Sequence, residues 1–145
     1  MSEDYGLLET IREVLMNDET IQSTGLFQRI YNDLPSKPVY PFICLEIDAI
    51  WHDHTASDNQ AVARINFHIN LFSHVHLGTT PAHIGHTIST CLDAHSIRLS
   101  PYYLANFRKT ANIIDLPMMR SPRLFQQFYQ AIIWKKIDKM SGEAI

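Results

Sequence analysis

With 145 residues, 46% of them apolar and 19% charged, the chain has the make-up of one folded domain rather than a disordered segment, and a domain of this size buries roughly 70% of its unfolded surface without a structural metal or cross-link. A net charge of -3 and a pI near 6.2, with no basic stripe interleaved with aromatics, exclude a nucleic-acid grip built on charge. No apolar run approaches the ~18 residues of a membrane-spanning helix, and the acidic opening MSEDYGLLET lacks the basic and apolar regions of a secretory signal, so a cytoplasmic single domain over 1–145, with its core from about 4 to 138, is expected.

In chain order, Leu7, Leu8, Ile11, Val14 and Leu15 recur at helical spacing behind Asp4 as a cap, which predicts an amphipathic helix over 4–16. A helical turn at DETIQ follows before Gly25. LFQRIYNDLPSKPVYP reads as a short strand running into a loop, because Pro35, Pro38 and Pro41 cannot sit inside a ladder. In FICLEIDAIWH, Ile43, Leu45, Ile47, Ala49 and Trp51 share one face, and Cys44, Glu46, Asp48 and His52 the other. In ARINFHINLFS, Ala63, Ile65, Phe67, Ile69 and Leu71 alternate with Arg64, Asn66, His68 and Asn70. Two half-buried antiparallel strands result, joined by the polar loop around TASDNQ.

Thr79 or Thr80 as cap and Pro81 at the first helical position open a second helix, with the stripe Ile84, Ile88, Cys91 and Leu92, running to about His95. After an SIRLSP turn, YYLANFRKTANIID and LFQQFYQAIIWKKID read as two further strands linked by LPMMRSP. In the last of these, Phe128, Ile132 and Trp134 face opposite to Phe125, Tyr129 and Ile133, a pattern that demands cover on both faces or a bulge. The expected fold class is therefore α+β: a single domain with a mainly antiparallel sheet of four to five strands and two main helices packed on one face.

Cys44, in an apolar strand pattern, and Cys91, on a helical apolar stripe, read as buried reduced thiols rather than a disulfide or a nucleophile. Charge is unevenly spread: residues 1–60 hold eleven Asp/Glu against three Lys/Arg, and residues 61–145 hold four against nine, so the halves carry -8 and +5. Compositional scatter explains that as well as an acidic surface on one copy meeting a basic surface on the next.

HVHLGTTPAHIGH places His74, His76, His83 and His86 within thirteen positions. An H-x-H pair on a strand can present two imidazoles to one metal, and a helix can add ligands at i and i+3. Geometry opposes convergence here. His74 continues the polar series of its strand, away from the helix-covered core, whereas at about 100° per residue His83 and His86 project from the side of the helix opposite Ile88. No acidic residue lies between positions 59 and 92 to supply a carboxylate. His74 and His76 thus remain only weak metal candidates, and no metal or cofactor is expected.

Asp53 between His52 and His54, with Ser57 nearby, lacks the nucleophile turn of G-x-S-x-G. Neither G-x-x-x-x-G-K-[ST] nor G-x-G-x-x-G occurs, and five glycines leave little for a phosphate-cradling loop. Trp51 and Trp134 read as core or interface aromatics rather than ligand platforms. Met118, Met119 and Arg120 at the LPMMRSP tip form either an exposed contact patch or a tip folded back on its own sheet.

The helix LLETIREVLMNDETIQ, the segment RIYNDLPSKPVYPFICLEI with its proline just before a long strand, the strand ARINFHINLFSH, the helix PAHIGHTISTCLDA and the closing strands together span roughly residues 7–137. In this order they resemble the tail terminator, or tail-completion, proteins of long-tailed phages and gene transfer agents. The resemblance implies a non-enzymatic subunit of a homo-oligomeric, typically hexameric, ring. Such a ring caps the tail tube, meets the tube protein and the head connector, and lets DNA pass through it. It also implies assembly in a bacterial host cytoplasm and residence in a virion or gene transfer agent particle. Loops around Asp58 and around Met118, Met119 and Arg120, with Arg123 beside them, are the expected contacts to the neighbouring copy or the tube. A histidine-dependent metalloenzyme and a small cytoplasmic binding module are the alternatives.

Overall fold

The computed structural model describes residues 4–23, 26, 28–52, 61–73, 81–93, 96–116 and 123–135, with 81–82, 112–116 and 123 described by their backbone alone. The first helix, α1 (Leu7–Met16), starts later than the periodicity predicts because Tyr5 and Gly6 turn into the left-handed region, with φ of 59° and 77°. Asp4 still caps it, its carboxylate accepting the Gly6 and Leu8 N–H groups at 2.9 and 3.2 Å. A one-turn helix, α2 (Glu19–Ser23), opens on the Asp18 carboxylate, which accepts the Ile21 N–H at 3.0 Å. Then come β1 (Ile30–Tyr31), β2 (Phe42–His52), β3 (Ala61–Ser73), α3 (Pro81–Asp93), β4 (Ile97–Ser100), β5 (Tyr103–Leu116) and β6 (Arg123–Lys135).

The strands form one sheet in the order β1-β2-β3-β6-β5-β4. β1 joins β2 in parallel and every other pair is antiparallel. This corrects the expected fold class: the protein is mostly sheet, with six strands in one mixed, half-barrel sheet instead of four to five antiparallel ones, and only α1 and α3 are longer than one or two turns. The short strand expected in LFQRIYNDLPSKPVYP is there as the two residues of β1, but it pairs in parallel, and the overlooked strand is β4, with four residues. An alternation needs more positions than that to register, so SIRLSP reads as a turn although Ile97 and Arg98 pair with Ala105 and Leu104.

A second correction concerns β2. Ile47 sits opposite Phe67 and Ala49 opposite Asn66, so Asp48 is a bulged extra residue. Past it the faces swap: Ile50, not Ala49, packs against the core, and Trp51 is 53% exposed. β6 needs no bulge to accommodate its two apolar faces. Phe125, Gln127, Tyr129, Ala131 and Ile133 are buried beneath the helices, and the alternate residues are half-buried on the other side. The irregularities fall on its neighbours, at Val62 in β3 and, in β5, at Thr110 and between Ile113 and Leu116.

The core lies between the sheet and α1 and α3, where Leu7, Ile11, Leu15, Leu45, Ile65, Phe67, Ile69, Ile84, Ile88 and Ile133 are essentially solvent-free. Each such side chain contributes about 1.5–3 kcal/mol by leaving water. Phe67 stacks on Tyr129 with ring centroids 5.4 Å apart and meets the edge of Phe107 at 5.9 Å. α3 crosses β6 at Gly85, where a Cβ would run into the Phe125 ring, and the Gln127 amide donates to the Gly85 carbonyl at 2.9 Å. The same amide reaches Ser89 Oγ at 3.2 Å, the Tyr129 hydroxyl donates to Gln127 Oε1 at 3.0 Å, and Lys109 Nζ donates to Ser89 Oγ at 3.3 Å, so this polar cluster under α3 is satisfied. Burial pushes the Tyr129 hydroxyl up to about 12.

Candidate assembly surface

Opposed residues of an antiparallel ladder point to the same face, so the registers build the helix-free side of the sheet row by row. Cys44, Asn70 and Gln126 form one row; Glu46, His68, Phe128 and Ala111 the next; then Ala49, Asn66, Gln130 and Arg108; then Trp51, Arg64, Ile132 and Asn106. The polar members bind one another along the rows. Gln126 Nε2 donates to Asn70 Oδ1 at 2.9 Å, Gln130 Nε2 to Asn66 Oδ1 at 3.2 Å, and Arg108 to Gln130 Oε1 at 3.3 Å. His68, with 12% of its side chain exposed, lies with Nδ1 2.8 Å from Asp48 and Nε2 3.4 Å from Glu46, its ring tilted against Phe128. Periodicity puts His68, Glu46 and Asp48 on the polar face, and the structure brings both carboxylates to the same imidazole.

At one end of this face a half-open cleft of about 510 Å³ is lined by Trp51, His52, Ala61, Ala63, Arg64 and Gln130. Among the described residues its lining has one histidine and no nucleophile, and no three His, Cys, Asp or Glu side chains are placed to hold a metal. His83 and His86 are exposed on α3, away from its buried stripe. His74 and His76 lie outside the described residues, as do Asp58, Met118, Met119 and Arg120. Arg123 begins β6 opposite Ser73, placed by its backbone alone. Cys44 is buried and Cys91 half-buried, and both are free thiols. Burial raises both, the Cys91 thiol to about 12 with the neighbouring Asp18 carboxylate adding to the effect. That is the opposite of an activated nucleophile.

The sheet's edges are the feature that sequence reasoning missed. β1 covers only Ile43 and Cys44 of β2, and β4 covers only Tyr103 to Ala105 of β5. Among the described residues no strand pairs with the outer edge of β2 from Leu45 to Trp51 or of β5 from Asn106 onward. A bare strand edge is a row of unmet backbone donors and acceptors, which monomeric proteins cover or blunt.

No protein family and no curated protein matches the sequence. A chain in the solved structure titled "Virion of native gene transfer agent (GTA) particle" matches in three dimensions, with a TM-score of 0.71, 16% identity, and coverage of 89% of this chain and 95% of that one. The two share a fold. The likeness extends over nearly the full length of both, so the sheet with its partly covered edges is compared whole rather than in part.

Proposed function

We propose that this chain is a non-enzymatic structural subunit of a phage-type particle, of the tail-terminator kind, which closes into a hexameric ring on the tail tube and presents the surface that joins the head. The observation carrying this reading is the full-length likeness to a chain of a gene transfer agent virion. The chemistry of the molecule supports it: its exposed polar side chains are spent on one another along the ladders, its thiols are raised, and its sheet ends in edges suited to another protein. A ring uses heterologous contacts, one patch meeting a different patch on the next copy, and a sheet with two unlike edges supplies such a pair. The hairpin ends near Asp58 and near Met118, Met119, Arg120 and Arg123 are proposed to meet the tube or the neighbouring copy, the head connector binds the opposite rim, and DNA passes through the opening without specific contacts. The chain would assemble in the host cytoplasm and remain in the particle.

The test is the mass of tagless protein by light scattering across a concentration series, alone and with tail tubes, with negative-stain imaging. A closed ring, free or seated on tube ends, is expected. A strict monomer at every concentration that also ignores tail tubes overturns the reading. Stoichiometric metal together with turnover of a substrate would overturn its non-enzymatic part.

A further inference from the structure

Among the described residues each edge of the sheet is covered at one end only, and the covered ends are opposite. β2 runs from Phe42, at the end shared with Ser73, Arg123 and Leu116, to His52, at the end shared with Ala61, Trp134 and Tyr103. β1 sits beside the first end of β2, and β4 beside the second end of β5. We propose that the β1–β2 edge of one copy joins the β4–β5 edge of the next, with β4 of the neighbour and β1 of this copy filling one shared column between β2 and the neighbour's β5. The sheet then continues from subunit to subunit. The proposal rests on the ring reading above and names the surfaces that build the ring.

Three properties of the edges fit each other. In strand direction, the alternating antiparallel pairs leave β1, β2 and β4 running one way and β5 the other. Copies turned about an axis along the strands therefore place β4 and β1 in the same direction in that column, each against a bare stretch that needs a partner. In apolar surface, Ile47 and Ile50 on β2, Phe107 on β5, and Ile97 and Leu99 on β4 are all half-covered on the helix side. The joint brings the β4 pair over Ile47 and Ile50 and completes their burial, which is a favourable change of sign and scale familiar from any core. In charge, the β1–β2 edge carries exposed Asp33, Glu46 and Asp48, and the β4–β5 edge carries exposed Arg98, Arg108 and Lys109. Glu46 lies on the helix-free face, as do Arg98 and Arg108 by register. Part of the acidic excess of the first half and part of the basic excess of the second thus lie on opposite edges. An edge that repels its own kind and attracts the other selects head-to-tail closure over edge-to-edge aggregation.

Two double variants test this. Asp33→Arg with Glu46→Arg makes both edges basic; Arg98→Glu with Arg108→Glu makes both acidic. All four positions are exposed, so the variants are expected to keep the fold, which circular dichroism checks. Each variant alone is expected to lose the ring at concentrations where the wild-type protein is closed, while an equimolar mixture recovers it, because copies that alternate around an even-numbered ring restore every acidic-basic joint. Rings from either variant alone, equal to wild type, overturn this joint and leave the ring reading standing. Loss in both with no recovery on mixing also overturns it. A wild-type chain that never assembles, alone or on tail tubes, removes the ring reading and the joint with it.

Discussion

The two faces of the sheet are built from the same strands and are held together by different forces. On the helix side, β3 and β6 present Ile65, Phe67, Ile69, Tyr129 and Ile133, all sealed from solvent and packed against α1 and α3. One residue along the same strands, Asn66, Asn70, Gln126 and Gln130 face away and satisfy one another, and His68 meets Asp48 of β2, by hydrogen bonds that are partly open to water. Apolar burial is proportional to area and dominates stability, whereas a hydrogen bond exchanged with water nets only about 0.5–1.5 kcal/mol. The comparison teaches that folding is secured on one face, which leaves the other face and the edges free to be shaped for contact.

The strongest challenge to that division is Phe67→Ala. The ring is buried between Tyr129 and Phe107, and its loss should cost about 3–5 kcal/mol in chemical denaturation. Next comes Gly85→Val, which forces side-chain atoms into the Phe125 ring and strains the Gln127 bond to the Gly85 carbonyl. Overpacking of this kind costs about 1–3 kcal/mol, and a drop in the midpoint of thermal unfolding is the readout. A neutral result would mean that α3 can lift from β6, and that the helix side is not the rigid one.

Tyr129→Phe sharpens the same comparison through pH. Removing the hydroxyl leaves Gln127 Oε1 and Ser89 Oγ each short of a partner beneath α3, a loss of about 1–3 kcal/mol at neutral pH. The native hydroxyl is held up to about 12 by burial and by the nearby Asp93 and Cys91, although its bond with Ser89 works the other way. In the unfolded chain it titrates near 10, so between pH 10 and 12 the unfolded state sheds a proton that the folded state keeps, and stability falls as pH rises. The Cys91 thiol, also raised to about 12 from its ordinary 9.0, acts in the same direction and starts lower. Denaturation midpoints should therefore decline from about pH 9 upward. Tyr129→Phe should flatten the part above pH 10, and Cys91→Ala the part that precedes it. Stability that rises through this window would contradict burial of both groups.

Much of this architecture was legible in the sequence where the chain repeats itself often enough. From Ala63 to Leu71 the apolar residues of β3 recur at every second position, and their core face is the expected one. α3 begins at Pro81 as expected and buries Ile84, Ile88 and Leu92. Legibility ends where a single residue changes the phase or an element is shorter than its period. The Asp48 bulge turned Trp51 outward and Ile50 inward, and nothing in FICLEIDAIWH distinguishes a bulged Asp from a paired one. β1 and β4 are too short for alternation, yet they leave the edges of β2 and β5 bare. The candidate surface was read from loops at Asp58 and Met118, which lie outside the described residues, while the edges that carry the inference above depend on strand order. Placing β6 between β3 and β5 is a long-range choice that local pattern does not contain.

The smallest expected effect comes from the helix-free face. His68→Phe replaces the imidazole with an apolar ring of similar shape beside Phe128, and it removes the contacts to Asp48 at 2.8 Å and Glu46 at 3.4 Å. A buried carboxylate stripped of its partner would be costly, but these two have side chains 38% and 53% exposed, and water takes the place of the imidazole. The change in stability should stay within about 1 kcal/mol, as for other exposed ion pairs. A loss on the scale of Phe67→Ala would mean that the His68 cluster holds β2 to β3 across the bulge, in which case the two faces share the work of folding. A small effect on unfolding together with a clear effect on assembly would show the reverse, because Asp48 and Glu46, released from His68, are then free to reorient at the edge where the neighbouring copy is expected to meet them.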